Sequence, residues 1–228
     1  MRPSVEATAT AVLEGGRMGA DEAAYNAELF GNTLTHEQTV VDTSEAAVAA
    51  AQKVTATSDV LVTHVPDPDA LRAIVDTARA NNTLVLNAGA RADVLRGEAC
   101  DPYLFHVIAS DAQYADALIA WMVNTAGIGR VAVVRDESAA APSHGGYAME
   151  QLAAAGVEAT DPVPVETAAA QPPAAADALW LDLRGDAQRA ALTRLADAPF
   201  PILCPHLSRE AMGRTTGPVL WHPALFKY

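Results

Sequence analysis

The polar residues of this chain that could do chemistry gather where short apolar runs stop. His64, Pro66 and Asp67 follow DVLVT at 59–63, and Asn87, Gly89, Ala90 and Arg91 follow Leu84-Val85-Leu86. Ser110 closes the run at 103–109, Asp182 and Arg184 follow the run at 177–181, and His206 follows Pro201-Ile202-Leu203-Cys204. A guanidinium makes paired N–H bonds to a carboxylate, so Arg91 and Arg184 suit an anionic ligand group. The competing reading of either arginine is a solvated surface residue. Gly89, between Ala88 and Ala90, exposes backbone and adds no bulk, which suits close approach by a ligand. The competing reading is an ordinary strand-to-helix connection. Asp67 and Asp69 could hold a hard cation but lack the ligand density of a calcium loop, so helix capping accounts for them better.

Several function classes are disfavoured by what the chain lacks. GxGxxG, GxxxxGK[ST] and GxSxG are absent, and Gly127-Ile128-Gly129 precedes a strand, where a phosphate loop does not sit. The six histidines form no HExxH and no i, i+4 pair. Two cysteines, Cys100 and Cys204, with no CxxC argue against structural zinc. The 15 Lys and Arg against 28 Asp and Glu give a net charge of −13 with no basic cluster. Nucleic acid and anionic membrane are therefore not expected partners. No window approaches the ~20 apolar residues of a membrane span. The segment Met1-Arg2-Pro3-Ser4-Val5-Glu6 is no secretory signal, which suits a cytosolic protein or the processed body of an exported one.

The elements that must position these residues read as alternating strands and helices. A helix is expected over 4–29, interrupted at Gly15-Gly16 and closed by Gly31-Asn32, then a strand over 33–42. Ser44 is expected to cap a helix over 44–54. A strand over 59–65, a helix over 70–80 ended by Asn81-Asn82, and strands over 84–86 and 103–108 follow. Beyond Ser110 come a helix over 112–125, a strand over 130–136, a loop over 137–143 and a helix over 146–155. A strand over 156–165, a flexible connection over 166–176, a strand over 177–183 and a helix over 186–196 continue the series. A strand over 201–204, a brief helix capped by Ser208 and a last strand over 219–221 complete it. Such alternation means βαβ crossovers and parallel sheets, and its repetition on each side of Asp111 suggests two sheets. The expected division is 1–109, 110–220, and 221–228 as the start of a return crossover. The fold class is α/β.

The order DVLVTHVPDPDALRAIVDTARANNTLVLNAGARADVLRGEACDPYLFHVIASDAQYADALIAWMV, followed by GIGRVAVVRD, resembles the type I periplasmic binding proteins. These are the solute receptors of ABC importers of the branched-chain amino acid type. The segment LNAGARADVLRGEACDPYLFHVIASDAQYADALIAWM looks like receptors encoded with PQQ-dependent alcohol oxidation systems.

The resemblance implies two Rossmann-like lobes with parallel sheets, a periplasmic location, a permease partner, a small polar ligand, no cofactor and no catalysis. By position, 64–67 and 87–91 form one wall of the ligand cleft, while 182–184 and 204–206 form the other. The hinge lies near 108–110 and 219–222. Amino-acid receptors of this family place Ser or Thr where this chain has Ala90-Arg91 and Pro66-Asp67, and an acidic residue near His206. These departures point away from an ordinary amino-acid ligand. The family also begins with an apolar strand absent before Ser4, so the first lobe reads as incomplete, with an open edge suited to homo-oligomerisation. Two alternatives stand beside the receptor: an accessory or sensor relative, and a small α/β enzyme using His64 or His206 as base.

Overall fold

The computed structural model describes residues 3–135, 143–171, 175–183, 185–205 and 219–220. It divides into two compact units, residues 1–108 and 109–228. Arg184, His206, the expected cap at Ser208, the loop over 137–142 and residues 221–228 lie outside the described residues.

The first unit opens with α1 (Pro3–Leu29), which runs unbroken through Gly15 and Gly16. Two central glycines cost a helix roughly 0.5–1 kcal/mol each, and the rest of a 27-residue helix outweighs that. Arg17 bridges Glu14 and Asp21 at 3.0 and 3.2 Å directly beside them. The helix closes as expected. Gly31 takes φ +73°, its N–H bonds Glu28 O, and Asn32 N–H bonds Ala27 O. That is a Schellman cap.

The strand expected over 33–42 does not form; the segment has no regular secondary structure, pairs with no strand and is exposed throughout. Its β-branched residues lack a neighbouring strand, and β propensity is a preference for a packed pleated surface rather than for the backbone alone. The cap of α2 (Ser44–Val54) is Thr43, not Ser44. Thr43 keeps the extended backbone and its Oγ1 accepts from Ala46 N–H at 3.1 Å, whereas Ser44 is already helical.

Strands β1 (Val60–Thr63), β2 (Leu84–Asn87) and β3 (Leu104–His106) form a parallel sheet in that order, with α3 (Pro68–Ala80) crossing between the first two. Val62, Leu86 and Phe105 share one register row. Leu71, Val75 and Ala78 of α3 pack on Val85, Leu95 and Leu104, while Ala47 and Ala51 of α2 meet Ile74. Both helices therefore cover one sheet face. The other carries Val60, Val62, Leu84, Phe105 and Val107, all exposed. The expected fully buried central strand is buried on one side only.

Near the start of the second unit stands Ser110, whose hydroxyl accepts from Gln113 N–H while Gln113 Oε1 accepts from Ser110 N–H. This capping box starts α4 (Asp111–Trp121), which ends in a π-turn over Met122–Ala126. Then come β4 (Arg130–Val134), α5 (Ser143–Ala154), β5 (Glu158–Ala159), α6 (Val165–Ala170) and β6 (Ala178–Leu181). Helix α7 (Gly185–Arg194), β7 (Ile202–Leu203) and β8 (Val219–Leu220) follow. All five strands are parallel, in the order β5-β4-β6-β7-β8.

Two expectations shift here. The strand over 156–165 shrinks to Glu158–Ala159 with one further bridge at Val163. The first part of the expected flexible connection over 166–176 is instead helical, in α6, because the alanines after Glu166 are strong helix formers and Pro164 precedes the first turn. Val131 and Val133 face a core with Leu118, Leu152 and Trp180, whereas Ala132 and Val134 face one with Leu181, Leu192 and Leu195. Both sheet faces are covered. Cys204 is buried in this second core and Cys100 is exposed; both thiols are free.

Candidate functional site

Ligands of open parallel sheets sit beyond the carboxyl ends of the strands, where neighbouring connections diverge. In the first unit that edge is built around Asn87, fully buried at the end of β2. Its Oδ1 accepts from Gly89 N–H at 2.9 Å and Ala90 N–H at 2.8 Å, which fixes the amide orientation. Its Nδ2 must then donate, to Ala90 O at 2.7 Å and to His106 Nδ1 at 3.0 Å. Nδ1 of His106 is thus the acceptor, and Nε2–H donates to Leu95 O at 3.2 Å. The imidazole is held neutral, its pKa lowered by burial and by the nearby Arg96 guanidinium. Arg96 in turn donates to Ile108 O. Asn87 orders a loop.

The neighbouring loop comes close. A side chain at Gly89 would meet Val65 N at 2.5 Å and His64 C at 2.8 Å, so the glycine is demanded by backbone-to-backbone packing of residues 64–65 against 88–90. Ala90 places its methyl in the core with Leu71 and Leu95. His64 and Pro66 are exposed, and Arg91 is partly buried. Asp67 caps α3, accepting from Asp69 and Ala70 N–H at 3.0 and 3.3 Å. The Ala70 bond, the Ser44 hydroxyl and the Asp69 bond hold its carboxyl below the usual range. Sequence reasoning had this cap. It missed that Asn87 spends its amide on its own loop, a signal present in the Asn-Ala-Gly spacing typical of Asx turns.

In the second unit, β4 leads to α5 on one face and β6 to α7 on the other, so the crevice between these two strand ends is a switch point. Arg135 and Asp182 stand there. The guanidinium donates to Asp182 Oδ2 through Nε at 3.1 Å and Nη2 at 2.7 Å. Asp182 is buried and Arg135 partly so. Beside them opens a cavity of about 460 Å³, floored by Val165, Leu183 and Ala191 and flanked by Thr167, Arg135 and Arg194. Arg194 is ion-paired with Glu166. Asp182 thus stands at this site, Ser110 at the start of α4, and Arg184 and His206 outside the described residues. Arg194, Thr167 and Glu166 carried no sequence signal; their place depends on contacts between α6 and α7 that spacing does not encode. Among the described residues no group of three or more His, Cys, Asp or Glu could hold a metal ion. No described helix is long and apolar enough to cross a membrane.

Comparison with known proteins places this geometry in context. No curated protein matches the chain. Among solved structures, the ABC transporter substrate-binding protein from Desulfitobacterium hafniense in complex with Leu superposes with a TM-score of 0.65 at 13% identity, over 82% of this chain and 60% of that one. A branched-chain amino acid ABC transporter periplasmic ligand-binding protein from Burkholderia xenovorans gives 0.61 at 14% identity, over 71% and 47%. The solute-binding protein of an ABC transporter from R. palustris in complex with benzoate gives 0.52 at 19%, over 71% and 48%. The chain therefore spans about half the length of these structures. These likenesses establish the shared fold. The family model described as periplasmic binding protein matches residues 6–182, most of the sequence, and its members are solute-binding proteins rather than enzymes. The chain belongs to the periplasmic binding protein family.

Proposed function

We propose that this chain serves as the non-catalytic, periplasmic ligand-binding component of an ABC-type importer, and that its ligand is a small organic acid with an apolar body. The observation that carries this reading is the cavity at the second unit's switch point. Its volume, about 460 Å³, suits a small molecule, and its apolar floor meets two guanidinium groups. Asp182 occupies Nε and Nη2 of Arg135, leaving the Nη1 edge without a partner among the described residues. That edge is the part of the fork a ligand carboxylate would take. Leucine and benzoate, bound by two of the similar structures, both join a carboxylate to an apolar group. The permease partner follows from the same transporter setting. In the first unit the loops at 64–67 and 88–91 lie together, and their His64, Pro66, Gly89 and Arg91 offer a second candidate contact surface, ordered from inside by Asn87 and Ala90.

Thermal shift and calorimetric titration against benzoate, leucine, other small carboxylates and pyrroloquinoline quinone test the proposal. A ligand at a hundredfold excess over its Kd stabilises by ~2.7 kcal/mol, several degrees of Tm. Arg135→Met should abolish the response to the best ligand. A response that survives this change would move the site elsewhere, and silence across the panel would argue against the receptor reading.

One observation favours a second reading, an accessory or sensor relative without ligand. Both cavity guanidiniums already hold a carboxylate of their own chain. Silence across the panel would favour that reading.

A further inference from the structure

An α-amino acid carries its ammonium on the carbon next to its carboxylate. Wherever Arg135 holds a ligand carboxylate, that ammonium is therefore held close by. It has three N–H donors and needs acceptors for them once water is removed. The cavity wall next to Arg135 is poor in acceptors among the described residues. Arg135 N–H bonds Val163 O at 3.0 Å, and the two residues that follow Val163, Pro164 and Val165, line the cavity with apolar side chains. Leu183, which follows Asp182, does the same. The carbonyls there are already engaged: Pro164 O accepts from Ala168 N–H at 3.0 Å, and Leu183 O from Gln188 Nε2 at 3.0 Å. Asp182 is buried and does not line the cavity, and its Oδ2 takes both Arg135 bonds. Thr167 offers one neutral hydroxyl, too little for an ammonium.

The cavity's second cation is already engaged. Arg194 of α7 is ion-paired with Glu166 of α6, and both line the cavity. Both side chains are exposed, so the pair is weak and either partner is able to swing away. A second ligand carboxylate at Arg194 would displace Glu166 and then stand beside it. That exchanges one ion pair for another and adds a like-charge contact, so the second carboxylate brings no net gain. One guanidinium edge, Nη1 of Arg135, is left for one carboxylate.

We propose that this cavity selects monocarboxylates that carry no amino group, and that Glu166 bars a second carboxylate by holding Arg194. The inference rests on the receptor reading above and narrows its ligand class: benzoate has the required form and leucine does not. The selection works by refusal. An ammonium is refused because the wall leaves it unpaired, and a second carboxylate because Glu166 has taken its partner.

Calorimetric titration of the full chain against two matched pairs of acids tests this. Isocaproate is leucine without its amino group, and it should bind at least about a hundredfold more tightly than leucine. Benzoate should bind at least about tenfold more tightly than terephthalate, which adds a second carboxylate across the ring. Glu166→Gln changes an exposed side chain, and circular dichroism should show the fold unchanged. In that variant terephthalate should gain at least about tenfold, while the ratio of isocaproate to leucine stays as it was. Leucine bound as tightly as isocaproate overturns the exclusion of amines. Terephthalate indifferent to Glu166→Gln overturns the role of Glu166. Either result leaves the receptor reading standing, whereas binding of none of the four acids overturns the reading and the inference together.

Discussion

The two units use the same strand vocabulary to different ends. In the second, residues 131–134 of β4 and all of β6 are buried, with α4 and α5 on one face and α6 and α7 on the other. In the first, strands just as rich in Val and Leu are buried on alternate residues only. Equal apolar content on both sides of a strand therefore records which surfaces the sequence is built to cover. It does not record what covers them.

The largest test of this contrast is Trp180→Ala. Trp180 is fully buried between α4, α5 and the strands of the second unit, and its loss should cost about 3–5 kcal/mol. Chemical denaturation followed by hydrogen exchange should show that unit destabilised while β1 and β2 keep their protection. If both units lose protection together, they fold as one cooperative body and the comparison between them dissolves.

Gly89→Ala is the first unit's counterpart. Its Cβ would press on the Val65 backbone, which cannot move aside as a flexible side chain does, so a loss of about 1–3 kcal/mol or more is expected in urea unfolding.

A matched pair then reads the sheet faces directly. Val133→Thr buries a hydroxyl in the second unit and should cost about 1–3 kcal/mol. Val62→Thr should stay within about 0.5 kcal/mol, since Val62 is exposed. Equal effects would mean the outer face is covered.

The smallest effect concerns pH. His106 has a lowered pKa in the folded state, so the unfolded chain takes up a proton first as pH falls. Its contribution to stability is complete above the ordinary histidine pKa of ~6.5 and is lost as pH drops from there through the folded value. Tm of the wild type should fall between pH 7 and pH 5 more steeply than Tm of His106→Gln. Identical slopes would remove His106 from the account.

Local chemistry was the legible part of this chain. The Gly31-Asn32 closure, the Asp67 cap, the Asn81-Asn82 stop and the box at Ser110 are set by a few adjacent residues, and all stand where their spacing puts them. The strand expected over 33–42 failed because strand formation needs a neighbour that no local pattern supplies. Gly15-Gly16 did not break α1, since propensity is summed along a helix and two weak positions lose to the remainder. The pairing of Arg135 with Asp182 joins strand ends 47 residues apart. Only the order of the strands in the sheet brings those two together, and strand order is invisible to spacing.

The two free thiols bear on behaviour in an oxidising compartment. Cys204 is sealed in the core, and burial pushes its thiol pKa up, so it forms almost no thiolate and resists oxidants while the fold is intact. Cys100 is in the open. A thiol-specific label should therefore enter at one position per folded chain and at two once the chain unfolds. That makes the second cysteine a built-in gauge of whether the core around it is still closed.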